Sequence, residues 1–416
     1  MATLQVAIVG SGPAGCYLAE RLVRVAPGCR VDIIDRLPTP YGLVRAGVAP
    51  DHQGTKAITR VFDRALTRDG VAFWGNVEIG RDVALAELRA SYDAVVIATG
   101  APRDRRLDVP GEALPGIVRS GEFVGWLNRH PDHFGTSFDL AGVRSAVLIG
   151  NGNVALDVAR LLAKTPAELT QSDIDPEIEQ ALGAMTLETI HIVGRRGAED
   201  AGFSPQELGE LGELARARPI VDATDLPAPE GARNPAVIAH LHAFAERSAP
   251  AKPLAIRFHF HARPAGFAGT GRVEVARFTR PYGGELVLPA DLVVTCIGYQ
   301  AVPCCTLAAE GGVFVNMAGR IETGLYVVGW AKRGPSGTIA TNRAESHDVA
   351  ERLVAEVAPA GRPGGEALEA RLAERGVRRV DYAGWLRIDA AERARAEAGR
   401  PRRKFADRAG LLAGAS

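Results

Sequence analysis

The stretch VAIVGSGPAG, residues 6–15, decides the fold, because it joins an apolar run directly to a glycine-rich turn. The run predicts a buried parallel strand, and GCYLAERLVRVA (15–26) predicts a helix that opens directly after the turn. Gly10 permits the tight turn, Gly12 lets a ligand approach the backbone, and Gly15 lets helix and strand pack closely. The helix N-terminus adds a positive field, so the stretch predicts a pyrophosphate site.

An acidic residue supports the same interpretation. The strand VDIID (31–35) completes a βαβ unit, and Asp35 ends it twenty positions after Gly15. We expect the Asp35 carboxylate to accept hydrogen bonds from the ribose hydroxyls of a dinucleotide. The alternative is a glycine turn with an incidental acid, which requires strand, helix and acid to coincide by chance.

A second motif of the same kind lies about 140 residues further along the chain. GNGNVALD (150–157) follows the apolar run AVLIG (146–150) and opens a predicted helix, with Ala155 in place of the third glycine. Two such motifs predict two doubly wound α/β domains and two dinucleotides, most economically FAD in the first site and a nicotinamide in the second. The alternative is that the second site is a degenerate duplicate without a ligand.

Two adjacent arginines indicate which nicotinamide binds. Arg195 and Arg196 follow the strand HIVG (191–194), at the place where an acid holds the ribose 2′-hydroxyl in an NAD site. Guanidinium groups bind phosphate bidentately, so the pair predicts recognition of the 2′-phosphate of NADP. The 43 residues between Gly152 and Arg195 exceed the usual spacing, and we expect the segment 164–185 to form an excursion. Two solvated surface arginines are the alternative.

The composition of the 416-residue chain is that of a globular protein, with 46% apolar and 24% charged residues. Lys+Arg and Asp+Glu are equal at 49 each, which argues against nucleic acid or an anionic membrane as the main partner. No apolar run is long enough to span a membrane, and the N-terminus lacks the basic start of a signal peptide. The five cysteines show no metal-ligand spacing and are typical of reduced thiols, so we expect a cytoplasmic protein without a metal site.

Longer motifs link the chain to a known family. These are PTPYGLVRAGVAPDHQGTK (38–56), GNGNVALDVAR (150–160), VGRRG (193–197) and GWAKRGPSGTIATN (329–342). Together they resemble the adrenodoxin-reductase family of ferredoxin–NADP⁺ reductases, and the resemblance covers essentially the whole chain. It implies a glutathione-reductase-like fold with a discontinuous FAD domain of residues 1–104 and 324–416, into which an NADP domain of residues 105–323 is inserted.

The glycine turns and the resemblance together imply the cofactor contacts. The expected FAD contacts are Gly10, Gly12, Pro13, Ala14, Gly15, Asp35, Leu43, Val77, Gly100, Trp330, Gly337, Thr338 and Ile339. The expected NADP contacts are Gly150, Asn151, Gly152, Asn153, Val154, Arg195, Arg196, Glu207 and Gly337. The resemblance implies His52 as the active-site histidine near the flavin, Asp157 as its hydrogen-bond partner and Glu210 as an acid near the nicotinamide. From the residues alone, a single loop histidine such as His52 is more often polar surface, and Asp157 could be an acid favoured in the first turn of a helix.

Several features set this chain apart within the fold. It lacks the redox C-x-x-x-x-C of the disulfide branch, so electrons cannot leave through thiols, and GW (Gly329, Trp330) replaces the GD of that branch. IRFHFHARPAGF (256–267) carries an H-x-H, which we expect on a half-exposed strand rather than in a metal site. Cys304 and Cys305 lie in a predicted loop, and we expect them to be buried, inert thiols.

These features predict an FAD enzyme that takes hydride from NADPH and passes single electrons to a [2Fe–2S] ferredoxin, feeding an oxygenase or an iron–sulfur pathway. No oligomer is required. The candidate docking residues for an acidic ferredoxin are Arg103, Arg105, Arg106, Arg216, Arg218 and the cluster RPRRK (400–404). One alternative is the flavin subunit of a larger NADPH-oxidising complex, which is disfavoured because such chains bring a cysteine-rich iron–sulfur region. The other alternative is a non-catalytic, flavin-binding redox sensor.

Overall fold

The computed structural model describes residues 2–230, 232–246, 252–302 and 307–416, so Cys304 and Cys305 lie outside the described residues. The β-strands in chain order are β1 (Gln5–Val9), β2 (Arg30–Asp35), β3 (Val71–Gly75), β4 (Ala94–Ile97), β5 (Arg103–Asp104), β6 (Ile117–Arg119), β7 (Ser145–Ile149), β8 (Thr189–Val193), β9 (Ala217–Ile220), β10 (Leu254–His259), β11 (Arg263–Ala268), β12 (Val275–Thr279), β13 (Glu285–Pro289), β14 (Leu292–Thr295), β15 (Tyr299–Gln300), β16 (Ala309–Glu310), β17 (Val313–Phe314), β18 (Arg320–Glu322) and β19 (Leu325–Val327).

The α-helices in chain order are α1 (Pro13–Val25), α2 (Leu43–Ala46), α3 (Gln53–Lys56), α4 (Thr59–Leu66), α5 (Leu85–Ser91), α6 (Ser120–Leu127), α7 (Asn153–Ala163), α8 (Pro166–Leu169), α9 (Pro176–Gly183), α10 (Pro205–Glu210), α11 (Pro235–Glu246), α12 (Trp330–Arg333), α13 (Ile339–Glu356), α14 (Gly365–Glu374), α15 (Tyr382–Ala394) and α16 (Arg408–Gly414). None of the helices in the described part of the chain is long and apolar enough to cross a membrane.

The first sheet has the strand order β18-β19-β4-β1-β2-β3, with every pair parallel except β18 and β19. Its central strands are buried on both faces, with α1, α4 and α13 contributing to one core and α5 and α14 to the other. Such continuous apolar strands are characteristic of a parallel sheet that is covered by helices on both sides. The strand order reverses between β1 and β4, and ligands of doubly wound sheets bind at the carboxyl ends beside such a reversal.

The second sheet has the order β6-β14-β7-β8-β10-β9, and all of its neighbouring strands are parallel. Helices cover one face, and the antiparallel sheet β11-β12-β13 covers the other. The segment between α7 and β8 holds the short helices α8 and α9. This excursion accounts for the long spacing between the second glycine turn and Arg195, as predicted. Two doubly wound α/β sheets are therefore present, which confirms the predicted fold class.

The prediction of one half-exposed strand over residues 256–267 is wrong. Strand β10 ends at His259, His261 adopts a left-handed conformation with a φ of 53°, and β11 begins at Arg263. The chain therefore turns between the two histidines, and they do not share one strand face. His259 instead pairs with His191 on the neighbouring strand, with Nδ1 of His191 and Nε2 of His259 2.9 Å apart.

The C-terminal segment is helical as predicted, and the cations of the basic cluster 400–404 are paired with carboxylates of the chain. Lys404 is buried, and its Nζ lies 3.2 Å from the carboxylate of Asp173. Arg402 contacts Asp389 at 2.5 Å, and Arg400 forms ion pairs with Glu179 and Glu397. Because these cations are committed to internal ion pairs, they hold the segment against the rest of the chain.

Candidate dinucleotide-binding and redox site

The first glycine turn has the geometry of a dinucleotide cradle. Gly10 has a φ of 114°, and a Cβ there would lie 2.4 Å from the carbonyl oxygen of Ala98. A Cβ on Gly15 would lie 2.1 Å from the carbonyl oxygen of Gly10, so the helix can approach the strand only without a side chain. A Cβ on Gly12 would meet nothing within 4 Å, which leaves this backbone open to a ligand.

Asp35 ends β2 beside this turn and anchors it. Its Oδ2 accepts hydrogen bonds from the backbone N–H of Ser11 at 2.9 Å and from the Ser11 hydroxyl at 2.5 Å, while Oδ1 accepts from the N–H of Leu37 at 2.9 Å. A carboxylate offers about four acceptor positions, so these three bonds leave capacity for one ribose hydroxyl. Asp35 therefore fits the ribose role predicted for it while also fixing the turn.

The other expected FAD contacts occupy different environments. Ala14 is buried against the backbone of Gly329, which brings the start of α1 to the end of β19. Val77 is 1% exposed, whereas Leu43 is 44% exposed. The hydroxyl of Thr99, next to Gly100 at the end of β4, is buried without a hydrogen-bond partner among the described residues. An unsatisfied buried hydroxyl at this edge fits a polar ligand there.

The segment from Gly329 to Ile339 completes the first site. Trp330 donates a hydrogen bond from its indole Nε1 to the carbonyl oxygen of Ser336 at 3.1 Å. Gly337 has a φ of 78°, and Thr338 caps the helix that begins at Ile339. Trp330 also stacks on Tyr299, with ring centroids 6.2 Å apart and an interplanar angle of 16°. Because Tyr299 follows β14, this stack joins the carboxyl ends of the two sheets.

The second glycine turn repeats the geometry of the first. Gly150 has a φ of 138°, and a Cβ there would lie 2.1 Å from the carbonyl oxygen of Cys296, while Gly152 has open space around it. The amide oxygen of Asn151 is buried without a partner among the described residues, which fits a ligand donor at this position. The backbone N–H of Gly202 donates to the carbonyl oxygen of Asn151 at 2.7 Å, so the segment that leads to α10 lies directly beside the turn.

Asn153 and Val154 begin α7 at this second turn. The Oδ1 of Asn153 accepts a hydrogen bond from the backbone N–H of Ser204 at 2.8 Å. Ser204 in turn caps α10, on which Glu207 and Glu210 lie. The hydroxyl of Ser204 donates to the carboxylate of Glu207 at 3.0 Å. These contacts place both glutamates beside the predicted nicotinamide site.

Arg195 and Arg196 are exposed at the end of β8, on a loop that is fixed to the connection between β10 and β11. The backbone N–H of His261 donates to the carbonyl oxygen of Arg196 at 3.0 Å. Arg195 has no side-chain partner within the described ranges, whereas Nη1 of Arg196 lies 3.5 Å from the carboxylate of Asp200. Arg233, which no sequence motif selects, lies 3.9 Å from the same carboxylate. This edge therefore offers positive charge to a phosphate.

The three predicted catalytic residues meet although they lie far apart in the chain. His52 Nε2 forms its hydrogen bond with Oε2 of Glu210 at 3.0 Å, whereas Oδ1 of Asp157, the predicted hydrogen-bond partner, lies 3.6 Å from His52 Nδ1 at an ion-pair distance. Burial raises the pKa of Asp157 above its ordinary value, although Arg160 and His52 act to lower it. Burial, and then the charge of Asp157, raises the pKa of Glu207. The cluster can therefore hold a proton at a pH at which exposed carboxylates have lost theirs.

Ligand atoms of His52, Asp157 and Glu207 all lie within 4.8 Å of one another, a spacing that a divalent cation can bridge. The buried guanidinium of Arg160 contacts this cluster, with Nη2 donating to Asp157 at 2.7 Å. A fixed positive charge at this distance disfavours a second cation. The arrangement therefore suits proton handling better than metal binding.

Comparisons with known proteins agree with this geometry. Residues 4–191 match the model of the pyridine nucleotide-disulphide oxidoreductase family. The chain is 38% identical to the mitochondrial NADPH:adrenodoxin oxidoreductase of Homo sapiens, over 97% of this chain and 90% of that protein. It is 40% identical to a probable ferredoxin/ferredoxin–NADP reductase of Mycobacterium tuberculosis, over 99% of this chain and 76% of that protein.

A solved structure gives the same result. FprA of Mycobacterium tuberculosis, determined in complex with NADPH, superposes with a TM-score of 0.93 at 37% identity, covering 99% of each chain. The fold, the two glycine turns and the full-length identity to these reductases all agree. The chain therefore belongs to the adrenodoxin-reductase family of ferredoxin–NADP⁺ reductases.

Proposed function

We propose that this chain is a ferredoxin–NADP⁺ reductase, an FAD enzyme that takes hydride from NADPH and passes single electrons to a small iron–sulfur ferredoxin. The contact of His52 with Asp157 carries the proposal, because Asp157 lies on the helix that opens the second glycine turn. The stack of Tyr299 on Trp330 supports it independently. Both contacts bring the carboxyl ends of the two sheets together, where a flavin and a nicotinamide must meet for hydride transfer.

We assign residues 1–104 and 324–416 to the FAD domain and residues 105–323 to the NADP domain. The strands of the first sheet fall within the first two ranges except for β18, which lies just before residue 324, and those of the second sheet fall within the third. The expected contact residues given above remain our proposed FAD and NADP contacts. The unpartnered polar atoms of Thr99 and Asn151 support one ligand at each glycine turn.

Bound FAD supplies the chemistry that the side chains lack, because it accepts a hydride and releases electrons singly. The protein residues then have three tasks. The glycine turns and helix N-termini bind the pyrophosphates, and Arg195 and Arg196 bind the 2′-phosphate. Trp330 and the segment 337–339 orient the flavin. His52, Asp157 and Glu210 hold a proton close to the reacting atoms.

The proposed electron acceptor is an acidic [2Fe–2S] ferredoxin that docks on a basic surface. The side chain of Arg105 donates to the carbonyl oxygen of Tyr299 at 3.1 Å, beside the stack on Trp330. Arg103 and Arg106 are exposed near this position. A ferredoxin bound to these arginines therefore lies close to the flavin, whereas Arg216 is engaged with the carbonyl oxygens at the end of α7.

We place the protein in the cytoplasm. The described cysteines Cys16, Cys29 and Cys296 are free, as is usual in a reducing compartment. Burial raises the pKa of all three thiols, which keeps them protonated and unreactive at neutral pH.

The test is to purify the protein, record its visible spectrum, and titrate it anaerobically with NADPH and with NADH. The proposal expects flavin bands that NADPH bleaches in preference to NADH, and NADPH-driven reduction of cytochrome c that requires added ferredoxin. A redox sensor would retain FAD without such turnover. A subunit of a larger complex would reduce its flavin but fail to pass electrons to ferredoxin by itself.

A further inference from the structure

A buried layer of charge lies behind the His52 cluster and joins the two sheets. Arg160 lies one turn after Asp157 on α7, and its side chain is 1% exposed. Its Nε and Nη2 donate to the carboxylate of Asp51 at 2.8 and 3.1 Å, and Nη2 also donates to Asp157 at 2.7 Å. Nζ of Lys164 donates to Asp51 at 2.7 Å. Asp51 immediately precedes His52 in the sequence, and Asp157 lies next to His52 in space. Arg160 therefore holds both of these carboxylates.

One nitrogen of the Arg160 guanidinium has no hydrogen-bond acceptor among the described residues. Its Nη1 is buried and makes no hydrogen bond with any described residue. The Oε2 of Glu210 lies 3.5 Å from this nitrogen and is also 3.0 Å from Nε2 of His52. A buried charged donor without an acceptor is costly, so its retention at this position calls for a role. A small shift of Glu210 would complete a fork from Arg160 to all three carboxylates.

We propose that Arg160 is a positioning residue for the hydride-transfer site, which holds the carboxylates of Asp157 and Glu210 beside His52 and fixes His52 through Asp51. This inference rests on the proposed function, since it specifies how the same cluster is held. It adds a residue that contacts neither cofactor in the assignments above. Arg160 acts through the carboxylates that it contacts.

The charge balance of the cluster gives the direction of the effect. Asp157 is faced by His52, Arg160, Asp51, Glu207, Glu210, Cys296 and Tyr299. Burial acts to raise the pKa of Asp51, but hydrogen bonds from Arg160 and the charge of Lys164 hold it well below its ordinary value. Arg160 is also the largest of the influences that lower the pKa of Asp157. Removing this cation therefore leaves Asp51 with Lys164 and Asp157 with His52, and Asp157 stays protonated to a higher pH.

The experiment compares Arg160→Gln, which removes the charge, with Arg160→Lys, which keeps the charge but loses the fork. The rate of flavin reduction by NADPH is measured against pH under anaerobic conditions in the purified holoenzyme. We expect Arg160→Gln to move the midpoint of the acidic limb of this pH–rate profile upward by about one pH unit. We expect Arg160→Lys to move it much less but to slow hydride transfer by about tenfold, because Asp157 and Glu210 are no longer held together.

A second measurement does not depend on turnover. Infrared spectra of the same proteins without NADPH follow the protonated carboxyl groups through a pH titration, and the band lost in Asp157→Asn identifies that residue. Arg160→Gln should shift the midpoint of this band upward as well. Arg144→Gln is the matched control, because Arg144 forms an exposed ion pair with Glu188. In this variant the midpoint of the pH–rate profile and the midpoint of the infrared titration should both be unchanged.

A folded Arg160→Gln protein with both midpoints at their wild-type values overturns the proposal. If that variant does not fold, Arg160→Lys decides, and a wild-type rate with a wild-type midpoint overturns it. Should NADPH fail to reduce the flavin of the wild-type protein, the proposed function fails. The infrared titration then still tests Arg160 by itself.

Discussion

Replacing Arg195 with alanine tests the basis of NADPH recognition most directly. Hydrogen bonds to charged groups contribute about 1.5–3 kcal/mol, and the exposed position of this loop favours the lower end because solvent screens the charge. About 1.4 kcal/mol corresponds to a factor of ten. We therefore expect kcat/KM for NADPH to fall about tenfold in Arg195→Ala, mainly through KM. NADH carries no 2′-phosphate, so its kcat/KM should remain unchanged.

The two arginines should not contribute equally. Arg196 lies 3.5 Å from Asp200, so part of its charge is compensated within the protein, whereas Arg195 has no partner in the described part of the chain. We expect Arg196→Ala to lower kcat/KM for NADPH by only about threefold, which corresponds to about 0.7 kcal/mol. Asp200→Asn should have the opposite sign and lower KM for NADPH, because it releases Arg196 and Arg233 from a shared carboxylate.

The assay is steady-state reduction of ferricyanide with each nicotinamide, supported by anaerobic single-turnover bleaching of the flavin. Arg144→Ala is a suitable control, because this exposed arginine directly precedes β7 at the opposite, amino end of the second sheet. Equal losses with NADPH and NADH would refute the reasoning, since they would show that the arginines contribute to folding or to general binding rather than to phosphate recognition.

Three further predictions test the two turns, the flavin contact and the histidine pair. Gly12→Val should lower FAD retention by about tenfold or more, and Gly152→Val should weaken NADPH binding while FAD is retained, because each new side chain fills space reserved for one ligand. Trp330→Ala should change the visible flavin spectrum and lower FAD retention, as measured by absorbance after gel filtration. Burial lowers the pKa of His191 to about 3 and of His259 to about 4. At pH values below the ordinary histidine pKa of about 6.5, the unfolded chain therefore binds protons that the folded chain does not. The free energy of unfolding in urea should therefore fall between pH 6.5 and pH 5, and His191→Phe should remove about 2 kcal/mol of that fall.

Controls separate these effects from general instability. A Cβ on Gly183 in α9 meets nothing within 4 Å, as for the two turn glycines, so Gly183→Val should leave both cofactors bound. Loss of both cofactors from either turn variant would contradict the assignment of one ligand to each turn. An unaltered spectrum in Trp330→Ala would place that ring away from the flavin. A fall in stability that is identical in wild type and His191→Phe would exclude the histidine pair as its source.

The parts of the fold that the sequence predicts are those with local signals. The turn at Gly10 needs its left-handed backbone and its lack of a Cβ at the same position, and both requirements appear directly as glycine in the sequence. The strand over 256–267 is predicted wrongly because alternating residues continue through the turn, and only the left-handed conformation of His261 ends β10. Nothing in residue pattern alone distinguishes that turn from a continuous strand.

The site is harder to predict because its decisive contacts are distant in the chain. The resemblance selects His52 and Asp157, but the residues alone assign them no common site. Arg160 escapes selection, although it lies three residues after Asp157 on the same helix face, because an arginine in a helix is usually a surface residue. Arg233 is missed for a similar reason, since its position depends on a contact with Asp200 that no spacing rule provides.

The buried charges around Arg160 are better explained by function than by stability. Removing a guanidinium and two carboxylates from water is costly, and well-packed apolar side chains of similar volume are often at least as stable as such a network. The network nevertheless lies where the segment before α3 meets α7, beside His52 and Asp157. Apolar packing there would hold the two elements in place but could not oppose the rise that burial causes in the pKa of Asp157. A charged layer does both, so its cost in stability is explained by the control of proton occupancy at the point where we propose that the two nucleotides meet.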